Sequence, residues 1–294
     1  MAEKSTMIGV VCGLSAAAIW GGMYVVSKLV LDIIPPFTLL TLRLILGIAV
    51  LWLVIRFTGG MHLSRTQIIK ALGVGLVGYG ISLGLQFVGT QLSTASNGAL
   101  VTSATPAFVL PFAAWLLKER ITRQRVIALI ISLLGVIAVI DPRRANLSPD
   151  LFWGNIILVG AAITWALYSV LVRLTSRDLA LLPGTMTFLW GGLLVSVPMA
   201  GFELQRAPLG DVNGGVVLAV LYLGIISTAL AMYLWNKAFV TLEAGAASLT
   251  IFAQPVVGAG LGALFLHEQL SILYLLGGIL IGLGLWLAVR EDSA

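Results

Sequence analysis

Charged side chains are scarce in this sequence. Of its 294 residues only 10% are Asp, Glu, Lys or Arg, whereas soluble domains carry roughly 25%. This scarcity excludes an ordinary soluble domain, a disordered chain, a coiled coil and a nucleic-acid-binding protein, all of which need more charge. Apolar residues make up 59% of the chain and the mean hydropathy is +1.06. The lipid bilayer is therefore the expected solvent for most of the chain.

Residues that carry enzyme chemistry are equally scarce. Cys12 is the single cysteine, and His62 and His267 are the two histidines. One cysteine excludes an internal disulfide and a CxxC metal or redox motif. An intramembrane enzyme would need a nucleophile with its base, paired carboxylates or a set of metal ligands at membrane depth, and no apolar stretch contains them. We therefore disfavour an enzyme and expect neither metal nor cofactor.

Long charge-free stretches are what the sequence has in abundance. A bilayer crossing needs about 20 apolar residues at 1.5 Å per residue. The stretch 71–117 has no charge and, at about 70 Å if helical, must turn back once. The polar residues Gln91, Ser93, Thr94 and Ser96 indicate where it turns. We predict an all-α membrane protein with ten transmembrane helices, at 7–31, 33–55, 68–91, 94–117, 126–140, 151–172, 179–202, 212–236, 244–266 and 270–289.

The two halves of the sequence match each other at an offset of 145 to 149 residues. Trp20 with Lys28 corresponds to Trp165 with Arg173. Three further pairs match, namely Pro106 with Pro255, Glu119 with Glu268, and Gly135 with Gly284. This recurrence disfavours reading the first apolar run as a cleaved signal peptide. Five helices per half give the halves opposite orientations, so we predict two five-helix repeats, 1–147 and 148–294, which form an inverted repeat around a central cavity, as in many secondary transporters.

The 17 Lys and Arg residues lie between the apolar stretches, as topology signals do, and form no binding patch. With the N-terminus inside, 12 of them fall on the cytoplasmic side, 4 fall outside and Arg43 lies within a span. This asymmetry predicts a multi-pass protein of the cell inner (plasma) membrane. Both termini and the loop 118–125 are expected in the cytoplasm, and the loop 141–150 outside.

These features together resemble a known family. The ten predicted helices, the duplicated five-helix unit, the Trp-bearing first helix of each half and the Pro-to-Glu segment that ends the fourth are similar to the drug/metabolite transporter superfamily. Within it the chain most resembles EamA-type proteins, and among these the bacterial aromatic-amino-acid and paraquat exporters. The resemblance covers residues 7–290. It implies a cavity walled by helices 1, 3, 4, 6, 8 and 9, with helices 5 and 10 peripheral, and export of small metabolites by alternating access.

Aromatic and polar residues near mid-span are the candidate substrate contacts. Trp20 and Tyr24 share a face of helix 1, and Trp165 and Tyr168 share a face of helix 6. Ligand pockets are rich in aromatic rings, which favours a cavity over a lipid-facing belt or a packed core. The other candidates lie on helices 3, 4 and 9, and are Tyr79, Ser82, Gln86, Asn97 and Gln254. Interhelical hydrogen bonds, worth about 1 kcal/mol each, are the alternative role for such polar residues.

Ionisable residues other than Arg43 lie at the ends of the predicted spans or between them. Since no acidic residue is predicted at its depth, we expect Arg43 to bind backbone carbonyls or to take part in a gate. Glu119 and Glu268 follow directly on apolar helices, where capping or loop pairing is the expected role. The absence of Asp, Glu and His at mid-span removes the usual proton relay.

A cavity of Trp, Tyr, Ser, Asn and Gln suits a neutral or zwitterionic amphiphile. We predict a monomeric exporter of small metabolites, amino acids above all, that works without proton coupling. Its expected partners are the small-molecule substrate and the bilayer, and no nucleic acid. The alternative is an exporter of drugs or other metabolites with ion coupling. A structural or sensory membrane protein would leave the repeat without a purpose.

Overall fold

The computed structural model describes residues 2–58, 63–140, 151–176, 178–206, 208–266 and 272–292, and this part of the chain forms helices and short connections without strands. In these described residues ten helices follow one another, and four of them contain more than one segment. They are α1 (Ala2–Leu31), α2 (Pro36–Thr58), α3 (Arg65–Gly75, Leu76–Ser82 and Leu83–Gln91), α4 (Ala95–Thr102, Thr105–Phe112 and Ala113–Leu117), α5 (Arg123–Ile140), α6 (Phe152–Thr175), α7 (Leu181–Arg206), α8 (Gly214–Leu221, Tyr222–Leu230 and Ala231–Thr241), α9 (Ala244–Leu249, Thr250–Phe252 and Ala253–Leu266) and α10 (Ile272–Asp292).

Seven of these helices, α1 to α4 and α6 to α8, contain stretches long and apolar enough to cross a membrane. Within the described residues α9 and α10 contain shorter apolar stretches, Ala244–Gly258 and Leu275–Arg290. The predicted all-helical fold is confirmed. The predicted turn is confirmed as well, because α3 ends at Gln91 and α4 begins at Ala95. The loop 141–150, His62, His267 and Glu268 lie outside the described residues.

Large apolar side chains cover the outside of the bundle. Phe57, Trp115 and Trp153 are 86%, 65% and 70% exposed. Such a surface would promote aggregation in water, whereas it is the expected surface of helices that contact lipid. The polar side chains that remain in the spans are buried instead, and they include the fully buried Arg43.

Prolines interrupt α4 and α9 at corresponding places. Because proline lacks an N–H and its ring clashes with the preceding turn, α4 breaks after Thr102 and resumes just before Pro106. In α9 a short 3₁₀ segment, Thr250–Phe252, precedes Pro255. Hydroxyl groups bind carbonyls at both breaks: Thr105 Oγ1 donates to the Thr102 carbonyl at 2.6 Å, and Thr250 Oγ1 donates to the Ala247 carbonyl at 2.7 Å.

Helices α3, α4 and α8 contain π-helical segments, which are Leu76–Ser82, Ala113–Leu117 and Tyr222–Leu230. A π-helical turn shifts the backbone hydrogen-bond pattern and makes carbonyl groups available to other partners, and it often occurs near functional sites. In α8 the carbonyl of Ser227 accepts from the Trp20 indole N–H at 3.0 Å. The π-helical segment thereby ties α8 to α1.

Glycines allow α5 and α10 to pack closely. A Cβ atom added to Gly135 would lie 2.7 Å from the Gly277 carbonyl oxygen, and one added to Gly284 would lie 2.7 Å from the Ala128 carbonyl oxygen. Both distances are shorter than real Cβ contacts, so only glycine permits this approach. This helix pair contributes no residue to the central cavity described below.

Candidate functional site

Five aromatic side chains from four helices meet inside the bundle. Trp165 on α6 contacts all the others: its ring centroid lies 4.8 Å from that of Tyr168, 5.6 Å from Trp20, and 6.2 Å from both Tyr79 and Trp235. Aromatic pairs at such distances contribute about 0.5–1.5 kcal/mol each beyond the area they bury. The cluster therefore holds α1, α3, α6 and α8 together.

A small cavity lies against two of these rings. Its volume, measured as the space open to the centre of a water-sized sphere, is about 30 Å³. A single buried water needs about 10–15 Å³ by this measure, so the helices are closed around a space too small for a metabolite. The lining comes from α1, α3, α4, α6, α8 and α9, the six helices that the resemblance implies. It consists of Trp20, Met23, Leu83, Gln86, Thr102, Thr105, Ala161, Trp165, Met232, Ile251 and Gln254.

Two glutamine amides provide most of the polarity of the cavity. Gln86 on α3 is 8% exposed and Gln254 on α9 is 4% exposed. The Gln254 Nε2 has no hydrogen-bond partner among the described residues. Next to it, the Tyr24 hydroxyl and Thr102 Oγ1 form a hydrogen bond of 2.7 Å. Of the nine predicted site residues, Trp20, Gln86, Trp165 and Gln254 thus line the cavity, and Tyr24 contacts a lining residue.

Tyr79 and Tyr168 lie in a polar cluster beside the aromatic rings, and both are fully buried. Tyr168 donates to Asn236 Oδ1 at 2.7 Å, and the two tyrosine oxygens are 2.5 Å apart. The Asn236 Nδ2 donates to Thr185 Oγ1 at 3.1 Å and to the Tyr79 hydroxyl at 3.3 Å. Because each hydroxyl is engaged inside this cluster, neither tyrosine offers a free polar group to the cavity in this arrangement.

Ser82 and Asn97 make hydrogen bonds between helices. Ser82 Oγ donates to the Ala161 carbonyl at 2.9 Å, which joins α3 to α6. The Asn97 Nδ2 donates to Ser93 Oγ and to Asn155 Oδ1, both at 3.1 Å, near the α3–α4 turn. Neither residue is part of the cavity lining, and their contact with substrate stays a prediction.

Arg43 is fully buried and bonds to α8. Its Nε donates to Thr228 Oγ1 at 2.7 Å, and Nη2 donates to the Ser227 carbonyl at 3.4 Å. Its other contacts are Ser227 Oγ at 3.4 Å from Nη2, the Met23 sulfur at 3.7 Å from Nη1, and the face of Phe87, 5.2 Å from the guanidinium carbon. Of the expected backbone carbonyls, that of Ser227 accepts from Arg43, whereas a part of Arg43 in a gate stays a prediction. No carboxylate pairs with Arg43 in the described part of the chain.

Sequence reasoning missed Trp235 and Asn236. Trp235 stacks against Trp20 at 5.3 Å, and its indole N–H donates to Ser169 Oγ at 3.1 Å. The repeat offset could have revealed both residues, because Trp235 and Asn236 lie 149 positions after Gln86 and Phe87. The two halves therefore contribute different side chains from corresponding places.

Glu119, just after α4, gathers charged partners at one end of the bundle. Its Oε1 lies 3.1 Å from Arg173 Nε and its Oε2 lies 3.7 Å from Arg125 Nη1. The backbone N–H groups of Ala244 and Gly245, at the start of α9, donate to the same carboxylate at 3.0 and 3.4 Å. Capping and loop pairing, the roles expected for Glu119, are both confirmed. Arg125 also pairs with Glu243.

Lys28 forms a simpler cluster at the opposite end. Its Nζ donates to three carbonyls where α3 ends, those of Thr90 at 3.3 Å, Gln91 at 2.9 Å and Ser93 at 3.1 Å. A cation is favoured there because the last carbonyls of a helix lack partners and form the negative end of its dipole.

A multi-pass bundle of apolar helices that closes around a cavity of rings and neutral amides has the architecture of a membrane transporter. In the described residues no cluster of His, Cys, Asp or Glu could hold a metal ion. The model of the EamA-like transporter family matches this sequence twice, over residues 7–140 and 152–290. The chain belongs to the EamA-like transporter family.

Relatives and a solved structure agree with this assignment. The uncharacterized transporter YoaV of Bacillus subtilis is 25% identical over 287 residues, covering 96% of this chain and 95% of YoaV. A probable amino-acid metabolite efflux pump of Salmonella typhimurium is 24% identical over 290 residues, covering 94% of this chain and 93% of the pump. A crystal structure with 22% identity superposes with a TM-score of 0.79 over 95% of this chain and 97% of that one, and shows the same fold.

Proposed function

We propose that this transporter exports small neutral or zwitterionic metabolites, amino acids above all, from the cytoplasm by alternating access and without proton coupling. The observation that carries the proposal is the cavity lining. Among the described residues it combines indole rings with two amides and includes no charged side chain. Rings accommodate an apolar side chain, and amides bind both the carboxylate and the ammonium of a zwitterion. A relative named as a probable amino-acid metabolite efflux pump is consistent with this substrate class.

Two inverted five-helix repeats, 1–147 and 148–294, would provide the mechanism. Matching contacts support this division. Lys28 on α1 binds the carbonyls of Thr90 and Ser93, and Arg173 on α6 binds those of Phe239 and Leu242. The two carbonyl pairs are related by an offset of 149 residues.

The contact between α5 and α10 supports the same division. A Cβ atom added to Gly135 would lie 2.7 Å from the Gly277 carbonyl oxygen, and one added to Gly284 would lie at the same distance from the Ala128 carbonyl oxygen. Adding the offset of 149 to Ala128 and Gly135 gives Gly277 and Gly284, so exchanging the two halves reproduces the contact. The two matches of the family model, 7–140 and 152–290, lie on either side of the proposed boundary between the repeats.

The orientation follows from the charges. With both termini in the cytoplasm of a cell whose inner membrane holds the protein, the Glu119 cluster is the cytoplasmic end and the Lys28 cluster the outer end. Cysteines introduced at the exposed Arg120 and Asp32, in a Cys12→Ser background, test this. A membrane-impermeant thiol reagent applied outside should label the Asp32 site and not the Arg120 site. The reverse pattern would contradict the proposed orientation.

The coupling proposal rests on side-chain chemistry. Proton-driven carriers place a titratable side chain near mid-membrane, whereas the lining residues that the structure describes include no Asp, Glu or His. Arg43, the buried cation close to it, is bound to hydroxyl, carbonyl and sulfur atoms. Sodium sites made of carbonyls at broken helices are the competing arrangement, since α4 and α9 are both broken.

Flux in proteoliposomes tests the function. Labelled phenylalanine or leucine should equilibrate across the membrane down its gradient, and an imposed pH or sodium step should change the rate little. Accumulation far above equilibrium that disappears when the ion gradient is collapsed would favour the ion-coupled alternative. Absence of flux for every neutral amino acid would contradict the substrate class.

A substitution of Trp165 tests in the same assay whether the substrate passes through the cavity. Trp165→Phe should reduce flux at least severalfold, because the smaller ring leaves a gap in the lining, while the protein stays folded in detergent. Trp153→Phe is the matched control, since Trp153 is 70% exposed on the outer surface. Equal flux in the two variants would place the substrate path elsewhere.

A further inference from the structure

One polar atom of the cavity is conspicuous because the protein gives it no partner. Gln254 is 4% exposed, it lines the cavity, and its Nε2 makes no hydrogen bond with the described residues. A buried N–H group without an acceptor is unfavourable and is rare in folded proteins. The amide is therefore a hydrogen-bond donor available inside the cavity.

The backbone holds this donor in place. Gln254 precedes Pro255 in α9, and its carbonyl oxygen would lie 2.9 Å from a Cβ atom added to Gly21 on α1. Because the two backbones are in close contact, α9 cannot shift towards α1 to bury the amide differently. Pro255 restricts the conformation of the residue before it.

Neighbouring hydroxyl groups are already engaged with other partners. Thr102 Oγ1 bonds with the Tyr24 hydroxyl and with the Gly98 carbonyl, both at 2.7 Å. Thr105 Oγ1 donates to the Thr102 carbonyl at 2.6 Å. The Tyr24 hydroxyl interacts with the Gln254 side chain, but the contact does not have the geometry of a hydrogen bond to Nε2.

The nearby cation does not compete for an anionic ligand. Arg43 bonds to Thr228, Ser227 and Met23 and is not part of the cavity lining, whereas Met23 is. A carboxylate that enters the cavity therefore meets the Gln254 amide and not the guanidinium.

We propose that Gln254 selects substrates that carry a hydrogen-bond acceptor next to their ammonium group, with Nε2 donating to a carboxylate or carbonyl oxygen. This inference rests on the proposed function and adds a specificity-determining residue to it. The rings of Trp20 and Trp165 take the apolar side chain, and Gln86, which lines the same cavity, has an amide oxygen that can accept from the ammonium. Recognition by a neutral amide predicts that a carbonyl serves as well as a carboxylate.

Three ligands with one ring separate these features. Phenylalanine has the carboxylate, phenylalaninamide keeps a carbonyl acceptor without the negative charge, and phenethylamine has neither. Equilibrium binding of labelled phenylalanine to the purified full-length protein, with the other two as competitors, gives three affinities without requiring transport. In the unmodified protein, phenylalanine and its amide should bind within about threefold of each other, and phenethylamine at least tenfold more weakly.

Gln254→Met removes the donor and keeps the length of the side chain. Phenylalanine and phenylalaninamide should then bind about 10- to 100-fold more weakly, while phenethylamine changes less than twofold. Gln254→Glu keeps two acceptor oxygens without the amide donor and should also weaken phenylalanine. Gln205→Met is the matched control, because Gln205 is exposed at the end of α7, and it should change none of the three. Thermal unfolding of each variant verifies folding.

Two results would overturn the inference: phenylalanine that does not bind the unmodified protein, and a Gln254→Met variant that weakens all three ligands equally or none. The proposed function is judged separately by flux. Binding that depends on Gln254 without any flux in proteoliposomes would remove the transport proposal and leave this inference standing. If Gln254→Met still transports and still prefers phenylalanine over phenethylamine, the proposed function stands and this inference fails.

Discussion

At both ends of the bundle a cation binds the carbonyls at the end of a helix, but the two cations have different further partners. At each end a cation near the end of a long helix binds the last carbonyls of a neighbouring helix, Lys28 at the end of α3 and Arg173 at the end of α8. Arg173 also contacts a carboxylate, Glu119, at 3.1 Å. Lys28 has carbonyl partners alone among its hydrogen bonds in the described residues.

Because of this difference, we expect the contacts that close the two ends to differ in free energy. Glu119 has a side chain that is 10% exposed, and it connects the end of α4 to α5, α6 and α9. At the Lys28 end the corresponding connection is a set of neutral hydrogen bonds among Ser93, Asn97 and Asn155. Removing one partner of a buried ion pair leaves an uncompensated charge and costs about 3–5 kcal/mol, whereas a neutral hydrogen bond contributes about 1 kcal/mol. We therefore expect the Glu119 end to open less readily.

The largest effect is expected for Glu119→Gln. The amide keeps the shape of the carboxylate, but Arg173 loses its negative partner, and among the described residues Arg125 keeps only Glu243 as a negative partner. Closure of this end should therefore weaken by about 3 kcal/mol. Thiol labelling of a cysteine at Ser248, which is 1% exposed on the first segment of α9, should accelerate up to about 100-fold. A cysteine at Ser27, near the opposite end, should react at an unchanged rate in the same Cys12→Ser background.

Glu203→Gln is the matched control for that change. Glu203 on α7 also accepts from two backbone N–H groups, those of Phe37 at 3.0 Å and Thr38 at 2.9 Å, but the described residues provide no cation for it. Glu203→Gln should therefore lower stability by as much as the loss of a helix cap, about 1 kcal/mol. If both glutamine variants changed labelling equally, the arginine pairs of Glu119 would contribute nothing to closure.

An intermediate effect is expected when the two cations are compared directly. Arg173→Met removes carbonyl bonds and the partner of Glu119, and should destabilise the protein by about 2 kcal/mol. Lys28→Met removes carbonyl bonds alone and should lower stability by about 1 kcal/mol. Denaturation in detergent, followed by tryptophan fluorescence, measures both. A larger loss for Lys28→Met would reverse the ranking of the two ends.

The smallest effect is expected for Asn155→Ala. Asn155 Oδ1 accepts from Ser93 Oγ at 2.7 Å and from Asn97 Nδ2 at 3.1 Å, where α3, α4 and α6 meet. Because Asn155 is half-buried and water can replace its oxygen, we expect a loss below about 1 kcal/mol. Faster labelling at Ser27 with unchanged labelling at Ser248 would show that this contact belongs to the closure of its own end.

Sequence patterns were sufficient for part of the candidate site. Trp20, Gln86, Trp165 and Gln254 were identified because large polar or aromatic side chains at mid-span are costly in lipid, and all four line the cavity. Ser82 satisfies the same criterion, yet its hydroxyl is used by the Ala161 carbonyl. A hydroxyl, as in Ser82 or Tyr168, can be satisfied by one neighbouring group, whereas a glutamine amide needs several partners. The two glutamines were therefore better guides to the cavity than the hydroxyl-bearing residues.

Trp235 and Asn236 could not be selected from the pattern of residues within their own span. Their span contains several other aromatic and polar residues, and nothing in its composition distinguishes these two. The π-helical segment Tyr222–Leu230 lies just before them, and an extra residue per turn changes which faces follow it. The orientation of Trp235 towards Trp20 therefore depends on a backbone feature that hydropathy does not encode.

The sequence by itself determined the membrane class, the helical structure of the described residues and the turn between α3 and α4. Each of these depends on a local property, since a bilayer selects apolar stretches by length and charges mark their ends. Tertiary structure decided which polar groups are satisfied and which are left available. Gln254 has an unpaired amide because Gly21 admits the α9 backbone and because Thr102 and Thr105 bind other partners. Such pairing depends on the rotation and contact of helices far apart in the chain, and no local pattern specifies it.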